Sequence, residues 1–311
     1  MEMREISIDG LEKLASSQNG KVYRLNDEQI VKVFNPRTTS IEMIRREKEA
    51  AKRVFVHGVP TAISYDIVKV GDRYGIVYEL INAKTMGEML QEQPGRLEEY
   101  AIRMAKMLKH LHSKRFEGGE LPDGRLNLHI WADIAEQSGY YPVETVDGLR
   151  SLIDSIPPRD TFVHGDYNPG NILIADDEFV LIDLGSASVG HPVIDLISTY
   201  QLMMIVAEQP DGAEKNMNIS GKQAKKMWDY FIREYLGTED AKEIEEAEET
   251  LRFYVLIRGL AGVAITTMID EEQKEEYAKR LNDMFLKGIN HFRLNPLVSG
   301  TDSYHLMTRN K

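Results

Sequence analysis

Three polar side chains that could carry chemistry lie in or shortly after residues 164–171, which read HGDYNPGN. Short apolar runs flank this segment, and its glycines and proline prevent it from continuing as a strand or a helix. Asp183 stands 12 residues after Asn171, directly behind the apolar run at 180–182. A loop between two strands holds polar side chains at a fixed edge, so we expect Asp166, Asn171 and Asp183 to converge.

These residue types suit the transfer of a phosphoryl group to a hydroxyl. Mg²⁺ prefers hard oxygen ligands, keeps several waters and shares its coordination sphere with substrate phosphates, so one carboxylate and one amide suffice from a protein. Asp183 and Asn171 meet that requirement. Asp166 then remains to orient an attacking hydroxyl toward a terminal phosphate. The alternative is that both aspartates are turn or cap residues, because Asp is common in loops for its local hydrogen bonding.

The elements that must position these side chains differ between the two parts of the chain. Apolar residues and turn signals from 21 to 80 predict two antiparallel hairpins. The first hairpin joins strands at 21–25 and 29–34, and the second joins strands at 63–70 and 73–80. The first part of the chain is therefore predicted to be a small antiparallel sheet.

One helix is predicted between the two hairpins. Thr39, with Glu42 three residues later, predicts its start as a capping box, and Gly58 predicts its end. The apolar face of this helix consists of Ile41, Ile44, Ala51, Val54 and Phe55. Steps of 100° per residue place Glu47 among these side chains, so its carboxylate is expected to face inward.

After residue 80 the pattern becomes helical, with one strand-rich insert. The main predicted helices span residues 97–112, 220–236, 243–264 and 271–292. The predicted strands of the insert span residues 161–163, 172–174 and 179–182, with a turn at 176–178. The predicted fold class is α+β, with residues 1–80 as a small antiparallel β-rich N-terminal lobe and residues 81–311 as a larger, mainly helical C-terminal lobe.

The motifs HGDYNPGN and IDLG resemble those of the aminoglycoside phosphotransferase and choline kinase superfamily. The catalytic loop of that family reads His-Gly-Asp, four residues, Asn, and its metal motif is Ile-Asp followed by a small or aromatic pair. A later Asp of the family matches Asp195 in HPVIDL, and Leu111 and His112 match the end of a preceding helix. The resemblance covers residues 21–201 and implies a two-lobed protein-kinase-like fold.

The resemblance also implies roles for the site residues. Asp166 corresponds to the catalytic residue, Asn171 and Asp183 to the metal ligands, Lys32 to the lysine that contacts nucleotide phosphates, and Glu47 to its partner on the helix. The place of Glu47 has independent support from the helical phase. Two other interpretations stay open, since a lone Lys in a strand is more often at an edge or surface, and the pair could be a structural salt bridge.

Further residues of the chain resemble the supporting parts of such a site. The sequence SSQNG, which ends at Gly20, could cover phosphates with its backbone N–H groups. A connector at Tyr78, Glu79, Leu80 and Ile81 resembles the segment that hydrogen-bonds adenine. His164 and Asp195 are expected to support the structure of the site, because a loop histidine commonly hydrogen-bonds neighbouring backbone.

Composition restricts the partners. A formal net charge of -12 disfavours binding to nucleic acid or to an anionic membrane, both of which need Lys and Arg. The absence of Cys excludes disulfides and Cys-ligated metal centres. Residues 1–10 lack the apolar run of a secretion signal, and no apolar stretch approaches 18 residues, so we expect a cytoplasmic protein.

The resemblance implies a transferase of the kinase type that uses Mg²⁺ and either ATP or GTP, with a small-molecule hydroxyl as acceptor. Aminoglycosides, amino alcohols and sugar-like metabolites all fit that description. Only 12 residues separate Asp183 from Asp195, which leaves little room for a peptide-docking segment. The alternatives are a catalytically silent nucleotide-binding module and an atypical protein kinase.

The acceptor is expected to bind the helical part of the chain. A cationic acceptor would find partners among Asp133, Glu136, Glu208 and Asp211. Each of these residues could equally be a solvated surface charge. Trp131 is either part of an aromatic wall for a quaternary amine or a core residue.

Overall fold

The computed structural model describes residues 3–17, 19–116, 119–266, 269–289 and 292. The strands are β1 (Lys13–Ser16), β2 (Gly20–Arg24), β3 (Gln29–Phe34), β4 (Ser64–Val70), β5 (Arg73–Glu79), β6 (Lys84–Thr85), β7 (Phe162–Val163), β8 (Ile172–Ala175), β9 (Glu178–Leu181) and β10 (Ser188–Val189). The helices are α1 (Ile41–Val56), α2 (Met86–Glu92), α3 (Leu97–Ser113), α4 (Gly124–Ser138), α5 (Val143–Asp154), α6 (Val193–Tyr200), α7 (Gly212–Met217), α8 (Gly221–Leu236), α9 (Ala241–Tyr254), α10 (Leu256–Ile265) and α11 (Glu271–Ile289).

The chain divides into two compact units. Unit 1 consists of Met1–Glu92 and Pro169–Ala187, and unit 2 consists of Gln93–Asn168 and Ser188–Lys311. The predicted α+β class, a small antiparallel sheet followed by a larger helical part, is confirmed. Asn171 and Asp183 belong to unit 1, whereas Asp166 belongs to unit 2.

Unit 1 contains a five-stranded antiparallel sheet in the order β1-β2-β3-β5-β4, in which both predicted hairpins are present. Lys32 pairs with Val22 on one side and with Ile76 on the other, so it lies on a central strand and the edge interpretation is wrong. One face of the sheet buries Val31, Val33, Val68, Val70 and Val77. The other face packs Phe34 and Ile76 against Ile44 of α1. Because side chains alternate along a strand, Lys32 points to the same face as Phe34.

The start of α1 differs from the prediction. Ser40, not Thr39, is the N-cap, because its extended backbone lets its hydroxyl accept a 3.3 Å hydrogen bond from the Met43 N–H. Gly58, with φ of 70°, follows the helix end as predicted. Phe55 is 45 % exposed and does not join the buried face, because the buried stripe follows residues 44, 47, 51 and 54. The inward orientation of Glu47 is confirmed.

The hairpin of β8 and β9 brings the two predicted metal ligands to one end. Asp176 and Asp177 both have positive φ, 48° and 65°, as expected of a two-residue hairpin turn. Ile172 pairs with Leu181, and the N–H group of residue 182 donates to the Asn171 carbonyl at 3.0 Å. Asn171 therefore precedes β8 at the end where Asp183 follows β9.

Unit 2 is mainly helical, with the short β7 and β10 paired antiparallel. The predictions for α3 and α8 are confirmed, and α8 carries a capping box of Ser220 and Gln223. The predicted helix at 243–264 is two helices, α9 and α10, that share Val255 as a cap. Val255 keeps helical backbone angles, so the break is a local loss of the hydrogen-bond ladder. The predicted helix at 271–292 is described as far as Ile289.

Five helices were not predicted from periodicity: α2, α4, α5, α6 and α7. Three of them are only six to eight residues long, which is too short for the apolar repeat to be distinguished from a strand or loop. Within the described residues, no helix combines the length and apolar character needed to cross a membrane.

Candidate active site

Lys32 connects two carboxylates in unit 1. Its Nζ lies 2.8 Å from Glu47 Oε1 and 2.9 Å from Asp183 Oδ1. The side chains of Lys32 and Glu47 are 14 % and 8 % exposed, whereas Asp183 is 38 % exposed. A strand, a helix and the segment that follows β9 thus each supply one charged group, and the most accessible of the three is Asp183.

Burial and the neighbouring charges act in opposite directions on Lys32. Burial alone would lower its pKa, but the carboxylates of Glu47 and Asp183 raise the pKa above its usual value. Burial also raises the pKa of Glu47, and Lys32 opposes that shift. Since Lys32 stays charged, it can offer a fixed cation to an anionic ligand at this face of the sheet.

Tyr78 and Gly185 shape this cluster in ways that the sequence did not reveal. The Tyr78 hydroxyl donates to Glu47 Oε1 at 3.0 Å, and burial followed by the Glu47 charge raises the Tyr78 pKa well above its usual value. A Cβ atom on Gly185 would lie 2.9 Å from Glu47 Oε2. Any larger residue at 185 would have to displace the Glu47 carboxylate, which approaches the backbone of Gly185 closely.

Asn171 and Asp183, the two predicted metal ligands, lie at the same end of the β8–β9 hairpin. Both present side-chain oxygens, and their backbones meet at one end of the β8–β9 hairpin. Asp183 adopts a left-handed backbone with φ of 61°, which costs a non-glycine residue of the order of 1 kcal/mol. Among the described residues, no three His, Cys, Asp or Glu side chains cluster to hold a metal alone.

The predicted glycine loop and hinge lie at the ends of strands of unit 1. Gly20 opens β2, and a Cβ atom there would lie 2.5 Å from the Val33 carbonyl oxygen, which is a packing reason for glycine. Gln18, two residues before Gly20, lies outside the described residues. The N–H groups of Glu79 and Leu80 donate to carbonyls of unit 1 at 2.9 and 2.8 Å, so neither is the donor for an adenine ring. Ile81 directly follows them.

Asp195 fixes the backbone of the catalytic loop in unit 2. This fully buried residue accepts hydrogen bonds from the N–H of His164 at 3.0 Å and from the N–H of Gly165 at 2.6 Å. His112 Nε2 lies 3.1 Å from the same carboxylate. Because a carboxylate only accepts, His112 Nε2 donates, and each Asp195 oxygen holds at least one donor.

The loop is also held through its own backbone and by α6. The N–H of Asp166 donates to His164 Nδ1 at 3.3 Å, and Asn168 Nδ2 donates to the carbonyl of Asp166 at 2.9 Å. Thr199 Oγ1 on α6 donates to the Tyr167 carbonyl at 2.7 Å. His164 is buried, and its Nδ1 accepts from a neighbouring backbone amide.

Tyr235 completes the buried network around Asp195. Its hydroxyl lies 2.8 Å from His112 Nδ1, and its pKa is raised well above the usual value by burial first and by the Asp195 charge second. The hydroxyl therefore stays protonated and can donate to a neutral His112. Tyr235 lies 123 positions along the chain from His112, so no local pattern in the sequence could have linked them.

His191, just before α6, should make stability depend on pH. Burial, with Arg159 and His112 adding smaller effects, lowers its pKa from 6.5 to about 4. Between those values the unfolded chain binds more protons, so the folded state loses stability as the pH falls. His191→Asn keeps an acceptor for the Val193 N–H, which now donates to His191 Nδ1 at 3.1 Å, and cannot be protonated.

The His191→Asn variant should therefore gain on the wild type by up to about 3 kcal/mol in free energy of unfolding as the pH falls through this range. Urea denaturation at several pH values would measure the difference. His110→Asn, on the exposed side of α3, is the matched control and should follow the wild type. Parallel pH profiles for the wild type and His191→Asn would contradict the expected role of His191.

The acidic residues expected to meet a cationic acceptor are each paired with a basic side chain of unit 2. The pairs are Asp133 and Glu136 with Arg150, both at 2.7 Å, Glu208 with Lys225 at 2.8 Å, and Asp211 with Lys215 at 3.9 Å. Such exposed pairs are weak, but they neutralise these carboxylates in part. Trp131 has a basic neighbour as well, since the Arg258 guanidinium lies 5.1 Å from its ring centroid.

Comparison with known proteins identifies the class of this chain. The profile of the APH family, described as the phosphotransferase enzyme family, matches residues 10–228. This match spans more than half of the 311 residues. The chain therefore belongs to the phosphotransferase enzyme family, within the aminoglycoside phosphotransferase and choline kinase superfamily that its motifs resemble. A sequence search of curated proteins found no match.

Three solved structures show the same kinase-like fold. The amicoumacin kinase hAmiN, in complex with AMP-PNP, Ca²⁺ and Ami, has a TM-score of 0.56 and 12% identity, with 94% of this chain and 92% of that chain covered. A choline/ethanolamine kinase family protein from Mesorhizobium loti has a TM-score of 0.51 and 18% identity, with 96% of this chain and 91% of that chain covered. The GDP complex of aminoglycoside 2'-phosphotransferase-IIIa has a TM-score of 0.51 and 15% identity, with 92% of this chain and 95% of that chain covered. At these identities the likeness shows the fold alone.

Proposed function

We propose that this phosphotransferase transfers the terminal phosphate of ATP to a hydroxyl group of a small molecule. The observation that carries the proposal is the contact of one buried cation, Lys32, with both Glu47 and Asp183, in a chain whose family transfers phosphate. In the reaction, the bond from the terminal phosphorus to the bridging oxygen of ADP breaks and a bond to the acceptor oxygen forms. The acceptor hydroxyl gives its proton to Asp166.

The residues of unit 1 would act on the nucleotide. Lys32 would contact the phosphates, and Glu47, held by Tyr78, would keep Lys32 in place. Asn171 and Asp183 would hold Mg²⁺ through their side-chain oxygens. When bound, the ion supplies positive charge that offsets the charge of the terminal phosphates. Asp166 is left to orient the acceptor hydroxyl and to take its proton.

The predicted division of labour, with nucleotide on residues 1–80 and acceptor and catalysis on residues 81–311, is part of this proposal. Gly20 would lie beside the phosphates, and Tyr78, Glu79, Leu80 and Ile81 would flank the adenine. Because the Glu79 and Leu80 N–H groups are already bonded, adenine contacts would use carbonyl oxygens of this segment or the N–H of Ile81. The relatives with AMP-PNP and with GDP bound keep both ATP and GTP as candidate donors.

A screen for acceptor-dependent ADP production would test the proposal. Amino sugars, amino alcohols, nucleoside-derived sugars and hydroxy acids would each be incubated with the protein, Mg²⁺ and ATP. We expect ADP release with one class of acceptor and its loss in Asp183→Asn, because that variant removes a carboxylate from the metal. Nucleotide binding without ADP release from any acceptor would indicate a silent module, and labelled phosphate in protein but in no metabolite would indicate a protein kinase.

A further inference from the structure

Arg258 is a charged residue in an otherwise uncharged helix. The sequence of α10 is LIRGLAGVAI, in which all residues except Arg258 are apolar or glycine. This helix packs against α4, where Trp131 lies under the Arg258 guanidinium. An arginine in such a helix costs free energy unless its charge has a partner.

The side chain of Arg258 has no ion-pair partner in the described part of unit 2. Its Nε is buried without an acceptor, and no described carboxylate lies within ion-pair distance of its guanidinium. Burial lowers the pKa of Arg258, and the Asp166 carboxylate opposes that shift. Since a guanidinium stays protonated in proteins, Arg258 is a forked donor that lacks an anion.

Arg258 and Asp166 both belong to unit 2, and the Asp166 carboxylate acts on the pKa of Arg258. Because Asp166 would take the proton of the acceptor hydroxyl in the proposed reaction, Arg258 would lie within electrostatic reach of a bound acceptor. Gly259 and Gly262 lie one and four positions further along α10, and a Cβ atom on either would meet no described atom within 4 Å. Open space therefore lies along the helix that carries the unpaired guanidinium.

The charges nearby favour an anion over a cation. The four acidic side chains expected to bind a cationic acceptor are already paired with basic residues. The ring of Trp131, which could have received a quaternary amine, has the Arg258 guanidinium over its face instead. Among these described residues, the Arg258 guanidinium is the cation that has no ion pair.

We propose that Arg258 binds an oxyanion of the acceptor, a carboxylate or a phosphate, so that the preferred substrates are hydroxy compounds that carry a negative charge. The guanidinium fork matches both oxyanions because each offers two oxygens to parallel N–H groups. The proposal rests on the proposed function, since it assumes that a hydroxyl acceptor reaches Asp166.

A fractionated metabolite extract separates this proposal from the proposed function. Small molecules would be split by ion exchange into cationic, neutral and anionic pools, and each would be incubated with the full-length protein, Mg²⁺ and ATP labelled in its terminal phosphate. We expect labelled product from the anionic pool. Label only in the cationic or neutral pool would overturn the role of Arg258 but leave the kinase intact, and label in no pool would overturn both.

Treating the anionic pool with a phosphatase, removed before the assay, distinguishes the two oxyanions. Acceptor activity that survives the treatment belongs to a carboxylate, and activity that is lost belongs to a phosphate.

Two variants then test Arg258 itself on the active pool. Arg258→Gln should lower kcat/KM for the acceptor on the order of 100-fold, mostly through KM, because truncating one partner of a buried charge pair has an effect of that size. Arg258→Lys should lower kcat/KM less than Arg258→Gln does, since lysine keeps the positive charge but lacks the two parallel N–H donors. Arg280→Gln, on the exposed side of α11, is the control. Equal values for Arg258→Gln and Arg280→Gln, or a fall in kcat alone that is the same for every acceptor, would contradict the assignment.

Discussion

Asp166→Asn should lose most turnover and keep nucleotide binding. The variant removes the group that takes the acceptor proton, and a general base contributes about 10²–10⁴ in rate, so we expect a fall on the order of a thousandfold. The loop itself should survive, because the Asp166 backbone N–H donates to His164 Nδ1 and the Asp166 carbonyl accepts from Asn168, and the substitution keeps both groups. Stopped assays of ADP production and calorimetric titration with ATP would measure the two effects separately.

The control for this experiment is Asp176→Asn, at the exposed turn between β8 and β9. It makes the same chemical change, and Asn tolerates the left-handed backbone of residue 176 as well as Asp does. Turnover of Asp176→Asn should match the wild type. If Asp166→Asn kept more than about a tenth of wild-type turnover, Asp166 would not be the general base.

Asp195→Asn should destabilise unit 2 and weaken catalysis together. Its two carboxylate oxygens accept from His164, Gly165 and His112, so either orientation of an amide turns an NH₂ group toward at least one N–H donor. Leaving buried donors unpaired and removing a buried charge partner costs about 3 kcal/mol or more. Urea denaturation followed by circular dichroism would detect the shift in the unfolding midpoint. The loop that carries Asp166 should also lose its fixed geometry, which is why turnover is expected to fall.

Two further variants show whether the effect comes from the network. Asp147→Asn, on the exposed side of α5, should leave both stability and turnover near wild type. Tyr235→Phe removes only the hydroxyl bonded to His112 and should cost about 1 kcal/mol. Because this loss of stability is smaller, Tyr235→Phe still tests the network if Asp195→Asn does not fold. The same unfolding midpoint for Asp195→Asn and Asp147→Asn would mean that the hydrogen bonds of Asp195 contribute nothing to the stability of unit 2.

The unit 1 cluster could be anticipated from the sequence because its determinants are local. The helical phase alone places Glu47 inward, and the turn residues at 176 and 177 define the hairpin whose end carries Asn171 and Asp183. Lys32 was harder, because a Lys in an apolar strand is usually at an edge. Its interior place depends on the pairing of β3 with β2 and β5, which no short window of sequence contains.

The remaining features depend on contacts between distant segments. Tyr235 meets His112 across 123 positions, and Gly185 lies against a carboxylate on α1. Arg258 falls within a stretch whose periodicity predicts one long helix, and the break at Val255 shows only in three dimensions. The Thr39 cap failed for a different reason, since Thr39 and Ser40 are both capping residue types and the local backbone decides between them.

The hydrogen bonds from the loop backbone to Asp195 also limit how segments of related proteins could be combined in one chain. The loop backbone at His164 and Gly165 is set by a carboxylate on α6, and Thr199 of the same helix holds the carbonyl of Tyr167. A chimaera that took the catalytic loop from one parent and α6 from another could retain every recognisable motif and still misplace Asp166. For grafting, residues 164–167 and α6 should therefore come from the same parent, although α6 lies outside the motif that identifies the loop.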